Sequence, residues 1–113
     1  MDASSYGIGA VLLQEGQPIS YTLATLTQTQ QWYSQIEKEA LAVIVGLKKY
    51  HHYVYGAAHK VTIQTDHRPL IAIFNKELDA LSSRLQRLVL KSMPYSFELV
   101  HQPGKELYIA ATL

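Results

Sequence analysis

Apolar and polar positions alternate along this chain with two different periods, and the changes of period mark its elements. Ile8 to Gln14 is an apolar run, and from Pro18 to Leu26 the residues Ile19, Tyr21 and Leu23 alternate with others. Glu15-Gly16-Gln17 between them reads as a turn, so the two runs predict a β-hairpin. Asp2 stands just before it, at what reads as the tail of a preceding strand. The period then changes. Thr27 or Thr29 can cap a helix beginning near Gln30, in which Trp32, Ile36, Ala40, Val43 and Leu47 recur three or four apart. Leu41 and Val45 lie on the other side, which predicts a helix packed on more than one face and running to about Tyr50.

Lys60 to Asp66 returns to alternation and predicts a strand. Pro69 suits the first turn of a short helix through Phe74, and Leu81 to Lys91 forms a longer one with Leu85, Leu88 and Val89 apolar. Pro94 stops it, Ser96 to His101 is a further strand, and Gln102 to Lys105 is a loop. Leu107 to Leu113 reads as the opening of a last helix. A hairpin followed by alternating helices and strands predicts an α/β fold with a mixed sheet flanked by helices.

The 113 residues amount to one domain, 1–113, and 48% apolar with 17% charged residues is a globular balance. The absence of cysteine excludes disulfides and thiolate metal sites. No apolar run approaches the roughly 20 residues that span a bilayer, so no membrane partner is expected. Met1 to Ser5 carries no basic region before an apolar stretch, and the expectation is a chain that is not secreted. A net charge of +1 leaves nucleic acid open as a partner, because a local basic patch can bind phosphate on a nearly neutral protein. Eight tyrosines fit packing against a sheet.

Three acids hold informative places. Asp2 and Asp66 fall at strand ends, and Glu39 lies on the long helix. At 100° per residue Glu39 is about 60° from Ile36 and about 40° from Val43, at the border of the core stripe, whereas Glu37 is turned outward by comparison. Carboxylates from two strand ends and an adjoining helix can converge on a pair of hard divalent cations, the arrangement used for phosphoryl chemistry. Their carboxyl carbons would then lie within about 8 Å of one another. Spacing alone leaves the plainer alternative open, that an aspartate at a strand end is a turn or cap residue.

The wording around these acids resembles the ribonuclease H domain of gypsy-type retrotransposon and retroviral polymerase polyproteins. The similar blocks are Asp2-Ala3-Ser4-Ser5-Tyr6-Gly7-Ile8-Gly9-Ala10-Val11-Leu12, Tyr33-Ser34 with Glu37-Lys38-Glu39-Ala40-Leu41-Ala42, and Thr65-Asp66-His67-Arg68-Pro69-Leu70. Ser83-Arg84-Leu85-Gln86-Arg87 and Pro103-Gly104-Lys105-Glu106 before Ile109-Ala110 complete the series, in the family's order over essentially the whole chain. The resemblance implies a five-stranded mixed sheet with helices on both sides. It also implies hydrolysis of the RNA strand of an RNA/DNA hybrid by two Mg²⁺ ions, for which Mn²⁺ can substitute. The implied metal and catalytic carboxylates are Asp2, Glu39 and Asp66, and His101 stands where many relatives have a histidine that assists water or product handling. An ordinary strand-end histidine is the other reading of His101.

Two departures bear on activity. The family's fourth carboxylate belongs where Ala111 stands, in Ala110-Ala111-Thr112-Leu113. The family's central first strand and last helix also lie largely outside these residues, so the chain is expected to be part of a longer reverse transcriptase polyprotein. Its implied partners are the hybrid and the reverse transcriptase and integrase portions of that polyprotein. Its implied location is intracellular, in a cytoplasmic element particle or the nucleus. Arg84, Arg87 and Lys91 share a helix face at i, i+3 and i+7, and Lys48 and Lys49 cluster with His51 and His52. Both groups read either as phosphate contacts or as solvated surface. Two functions therefore compete: a hybrid-cleaving domain weakened at position 111, and a catalytically silent module that binds hybrid or packs against a polymerase. An integrase-like relative is a remoter third, disfavoured by the short loop Gln102 to Lys105.

Overall fold

A computed structural model describes residues 7–14, 16–55, 61–103 and 108–111. The hairpin forms as its pattern requires. β1 (Gly7–Gln14) pairs antiparallel with β2 (Gln17–Thr25), and Gln14 faces Gln17 across a two-residue turn. Gly16 takes φ 79°, a left-handed conformation in which a side chain would be strained. The register shifts between Leu12 and Leu13, which leaves Ile19 of β2 without a partner on β1.

The predicted long helix is instead two. α1 (Gln28–Gln31) is a single turn, and α2 (Gln35–Lys49) starts afresh after it. The cause is a pair of capping boxes. Thr27 bonds the Gln30 backbone while Gln30 bonds back, and Ser34 and Glu37 repeat the exchange. Trp32, expected in the core stripe, falls in the break and is 85% exposed. From Lys38 to Leu47 α2 is buried nearly all round, as the apolar residues on both of its sides predicted. A short α3 (His51–Val54) follows directly.

β3 (Val61–Thr65), α4 (Arg68–Asn75), α5 (Ser83–Ser92) and β4 (Phe97–His101) lie within two residues of their predicted bounds. Pro69 sits in the first turn of α4, where its missing N–H costs nothing. A 3₁₀ turn, Leu78–Ala80, joins α4 to α5.

The segment expected to open a last helix is a strand. β5 (Tyr108–Ala111) lies in the centre of a five-stranded sheet of order β2-β1-β5-β3-β4, parallel to β1 and antiparallel to β3. A short apolar run fits a buried strand as well as a helix, and here unpaired backbone on both β1 and β3 is satisfied by the strand. β3 and β4 pair in parallel.

One core holds the layers together. Ile8, Ala10, Leu12, Val61 and Ile63 of the sheet meet residues of α2, α4 and α5 in a single cluster. Alternation puts these strand residues on one face, so the described helices gather on that face rather than on both. On the other face of the hairpin, Tyr21 and Leu23 are 74% and 84% exposed. No helix among the described residues is long and apolar enough to cross a membrane.

Because Ser34 starts α2, Ser34→Ala should lower stability by about 1 kcal/mol. Trp32→Ser, at an exposed position outside both helices, should change it by less than about 0.5 kcal/mol. Urea unfolding midpoints measure both. A larger loss at Trp32 than at Ser34 would mean that one continuous helix runs through this region.

Candidate active site

The register brings several chain directions to one edge of the sheet. β1 begins where β2 ends, since Gly7 faces Thr25. β5 runs with β1 and against β3, so β3 and its parallel neighbour β4 end at that same edge. Thr65 and His101 face each other as the last residues of these strands. Two hydrogen bonds hold the strand ends: the Gln102 N–H donates to the Thr65 carbonyl at 2.8 Å, and the His67 N–H donates to Thr65 Oγ1 at 3.2 Å. Asp66 follows Thr65 directly and is exposed, and His101 is half-buried on the face that carries the core.

α2 starts from this edge, because it follows the end of β2. Its far end is located by Tyr50, whose hydroxyl is 3.3 Å from Ser20 Oγ, level with Leu12. Glu39 is in the second turn of α2, near the edge, and only 8% exposed. A carboxylate buried this far requires polar partners, and Gln35 Nε2 donates to Glu39 Oε1 at 2.9 Å. Glu39, Asp66 and His101 are therefore delivered to a common sheet edge by α2, β3 and β4. Asp2, the third carboxylate expected there, lies outside the described residues. Among the described residues no group of three His, Cys, Asp or Glu side chains is arranged to hold a metal ion.

Ala111 falls elsewhere. It is the last residue of β5 and faces Gln14, at the end of the sheet away from Asp66. Tyr108 faces Gln64; from that pair Ala111 is three residues in one direction and Asp66 two in the other. The separation along the strands is about 17 Å, at about 3.3 Å per residue. With β5 in this place, position 111 of the backbone lies away from the edge that holds Glu39 and Asp66.

The basic face of α5 is divided. Arg87 and Lys91 are exposed, but Arg84 Nη1 lies 3.2 Å from Glu37 Oε1 and its guanidinium sits 4.2 Å over the Tyr33 ring. Glu37, read as turned outward, has a side chain only 13% exposed. It accepts from the Ser34 N–H at 2.9 Å as well as from Arg84, so one carboxylate both caps α2 and ties it to α5. The Ser34-x-x-Glu37 spacing was the available signal. Burial pushes the Glu37 carboxyl up, but the Ser34 N–H, the Arg84 hydrogen bond and charge, and the Ser34 hydroxyl together hold it below its usual 4.5. Lys48 and Lys49, at the far end of α2, are exposed.

Comparison with known proteins agrees with this architecture. A family model described as the RNase H-like domain found in reverse transcriptase matches residues 1–95. The chain is 39% identical over 117 residues to the retrovirus-related Pol polyprotein from transposon opus of Drosophila melanogaster, covering 99% of the chain and 11% of that protein. It is 37% identical to the corresponding polyprotein from transposon gypsy of the same organism, covering 99% of the chain and 10% of the relative. The transposon Tf2-3 polyprotein of Schizosaccharomyces pombe is 36% identical, with 99% and 9% covered. The chain thus spans about a tenth of the length of the relatives it matches.

A lowered carboxyl pKa in the folded state adds stability above the unfolded value near 4.5, and this is lost as pH falls through the folded value. Glu37→Gln should therefore cost stability at pH 7, by at most about 1 kcal/mol given that Arg84 is partly exposed. The gap between the two proteins should shrink as pH falls below 4.5. Urea unfolding above and below that pH tests this, and a gap of constant size would mean that the Glu37 charge contributes nothing.

Proposed function

Because the chain belongs to the RNase H-like domains of reverse transcriptases, within the Pol polyproteins of gypsy-type and Tf2-like elements, we propose that it acts on RNA/DNA hybrid during reverse transcription. The reaction is hydrolysis of the RNA strand. The observation that carries this reading is the delivery of Glu39, Asp66 and His101 to one sheet edge by three different elements. Partners on this reading are the hybrid and the reverse transcriptase and integrase portions of the same polyprotein. The setting is an intracellular element particle.

The donor set suits a hard cation. Glu39 and Asp66 offer carboxylate oxygens, Asp2 adds a third by sequence, and there is no thiolate to favour a softer metal. Mg²⁺, or Mn²⁺ in its place, would be held by these carboxylates; when bound, two such ions lower the pKa of the attacking water and neutralise charge on the phosphate. The chain's own contribution is positional. Gln35 orients the Glu39 carboxylate, the paired ends of β3 and β4 fix Asp66 and His101, and His101 stands where it can assist the handling of water or product. Arg87 and Lys91 supply phosphate contacts along α5, and Lys48 and Lys49 supply them at the far end of α2.

Cleavage by this chain is impaired on two counts. Position 111 carries a methyl group instead of a carboxylate, and β5 holds that position away from Glu39 and Asp66. The same alanine favours a second reading, a silent module that binds hybrid or packs against a polymerase.

A Mg²⁺-dependent cleavage assay on labelled hybrid separates these readings. Residual cleavage should fall at least about tenfold in Glu39→Gln and in Asp66→Asn, equivalent to about 1.4 kcal/mol of barrier. Complete absence of cleavage with hybrid binding retained would favour the silent module.

Ala111→Asp alone should change the rate of this chain by less than about twofold, because a carboxylate about 17 Å away cannot share the metals. A rise of about tenfold or more would mean that position 111 reaches the site and that β5 leaves the centre of the sheet.

In the same protein, Arg87→Ala with Lys91→Ala should flatten the salt dependence of hybrid binding by about two phosphate equivalents. An unchanged slope would return both residues to the solvated surface.

A further inference from the structure

The end of the molecule remote from Glu39 carries an ordered group of rings. Tyr55 stacks on His51 with centroids 4.8 Å apart and planes within 16°. Tyr95 meets His51 and Tyr55 edge-on, at 5.6 and 6.1 Å, and its hydroxyl lies 2.9 Å from His51 Nδ1. His52 closes the group edge-on to His51 at 6.1 Å. Tyr95 is half-buried against the core, and the other three rings lie outside it. His51 and His52 are exposed, and Tyr55 is 56% exposed although one ring face is covered by His51. The exposed area of Tyr55 therefore belongs to its other face and its edges. Lys48 and Lys49 stand exposed on the preceding turn, just before His51.

We infer that this cluster is a stacking platform for an unpaired base of a single-stranded nucleic acid, with Lys48 and Lys49 on the adjoining phosphates. The inference rests on the nucleic-acid reading above and extends it to a strand outside the hybrid. An open aromatic face beside fixed positive charge fits a base and its backbone. Within a duplex both faces of a base are already stacked, so only an unpaired base can use the platform. The hydrogen bond between Tyr95 and His51 and the two edge contacts hold the rings before any ligand arrives, which lowers the ordering cost of binding.

The track to the platform is continuous with the proposed hybrid surface. α5 runs alongside α2 in the same direction, since Arg84 near its start meets Glu37 and Tyr95 beyond its end meets His51. The exposed Arg87 and Lys91 lie between these two contacts. Lys49 is ten residues beyond Glu39 on α2, about 15 Å at 1.5 Å per residue. At about 3.4 Å per nucleotide of a stacked strand, Lys49 is about four nucleotides from Glu39, and the platform lies just beyond it.

The test is binding, without metal, of a fluorescein-labelled oligothymidylate of about twelve nucleotides, compared with an abasic oligomer of equal length. The unaltered chain should prefer the oligothymidylate. Tyr55→Ala should weaken that binding about tenfold and leave the abasic oligomer unaffected, while Tyr55→Phe should behave as the unaltered chain. Lys48→Ala with Lys49→Ala should weaken both probes. Equal binding of the two probes, no detectable binding of oligothymidylate, or an unchanged affinity in Tyr55→Ala would each overturn the inference and leave the cluster as packing or as a protein-docking surface. Because no cleavage is read, loss of the nuclease reading alone would leave these outcomes intact.

Discussion

Enclosure of α2 is the constraint around which the other elements are arranged. A helix buried from Lys38 to Leu47 with apolar residues on opposite sides needs a sheet beneath it and helices beside it. β1 and β2 supply the floor, and α4 and α5 supply the flanks. The same enclosure explains how an acid can be held at the border of a core. Glu39 is carried inward by its neighbours Ala40 and Val43, both fully buried, and its desolvation is offset by hydrogen bonding to Gln35. Glu37, two residues earlier, solves the same problem with a cation from α5. The two acids thus differ in the groups that meet them: Glu37 takes a cation from α5, and Glu39 accepts from the Gln35 amide.

The charged groups of α5 follow the same logic. Three cations at helical spacing look equivalent along the sequence, but the helix opposite distinguishes them. Arg84 is spent on Glu37 and Tyr33, a contact between helices, while Arg87 and Lys91 have nothing across from them but solvent. A cation that ties two helices together and cations that face solvent therefore lie one turn apart on a single helix.

Legibility in the sequence tracked how local each determinant was. The hairpin was readable because alternation and Gly16 act within a few residues, and the same is true of β3, α4, α5 and β4. The period alone does not locate the start of α2, because Trp32 satisfies it; the stronger local signal is the serine cap three residues before Glu37. Glu39 could be placed by angle alone, since burial on a helix is set by its own face. The partners of Glu37 and the pairing of His51 with Tyr95 could not be read, because those contacts join residues 47 and 44 positions apart. β5 is illegible for a related reason: Tyr108 to Ala111 carries no period, and its strand conformation goes with pairing to two strands distant in sequence.

That central strand also has a kinetic consequence. Leu12 pairs with Ile109, 97 residues away, and among the described residues β5 alone is bonded to both halves of the sheet. Hairpin β1–β2 can close early, because its ends are a two-residue turn apart. The middle of the sheet must wait for a very long loop to close, and contacts of such high sequence separation slow folding. Until β5 docks, β1 and β3 each present a row of unpaired backbone groups toward the other. An open strand edge of this kind pairs readily with other chains, so the interval before closure is when this domain is most exposed to misassembly.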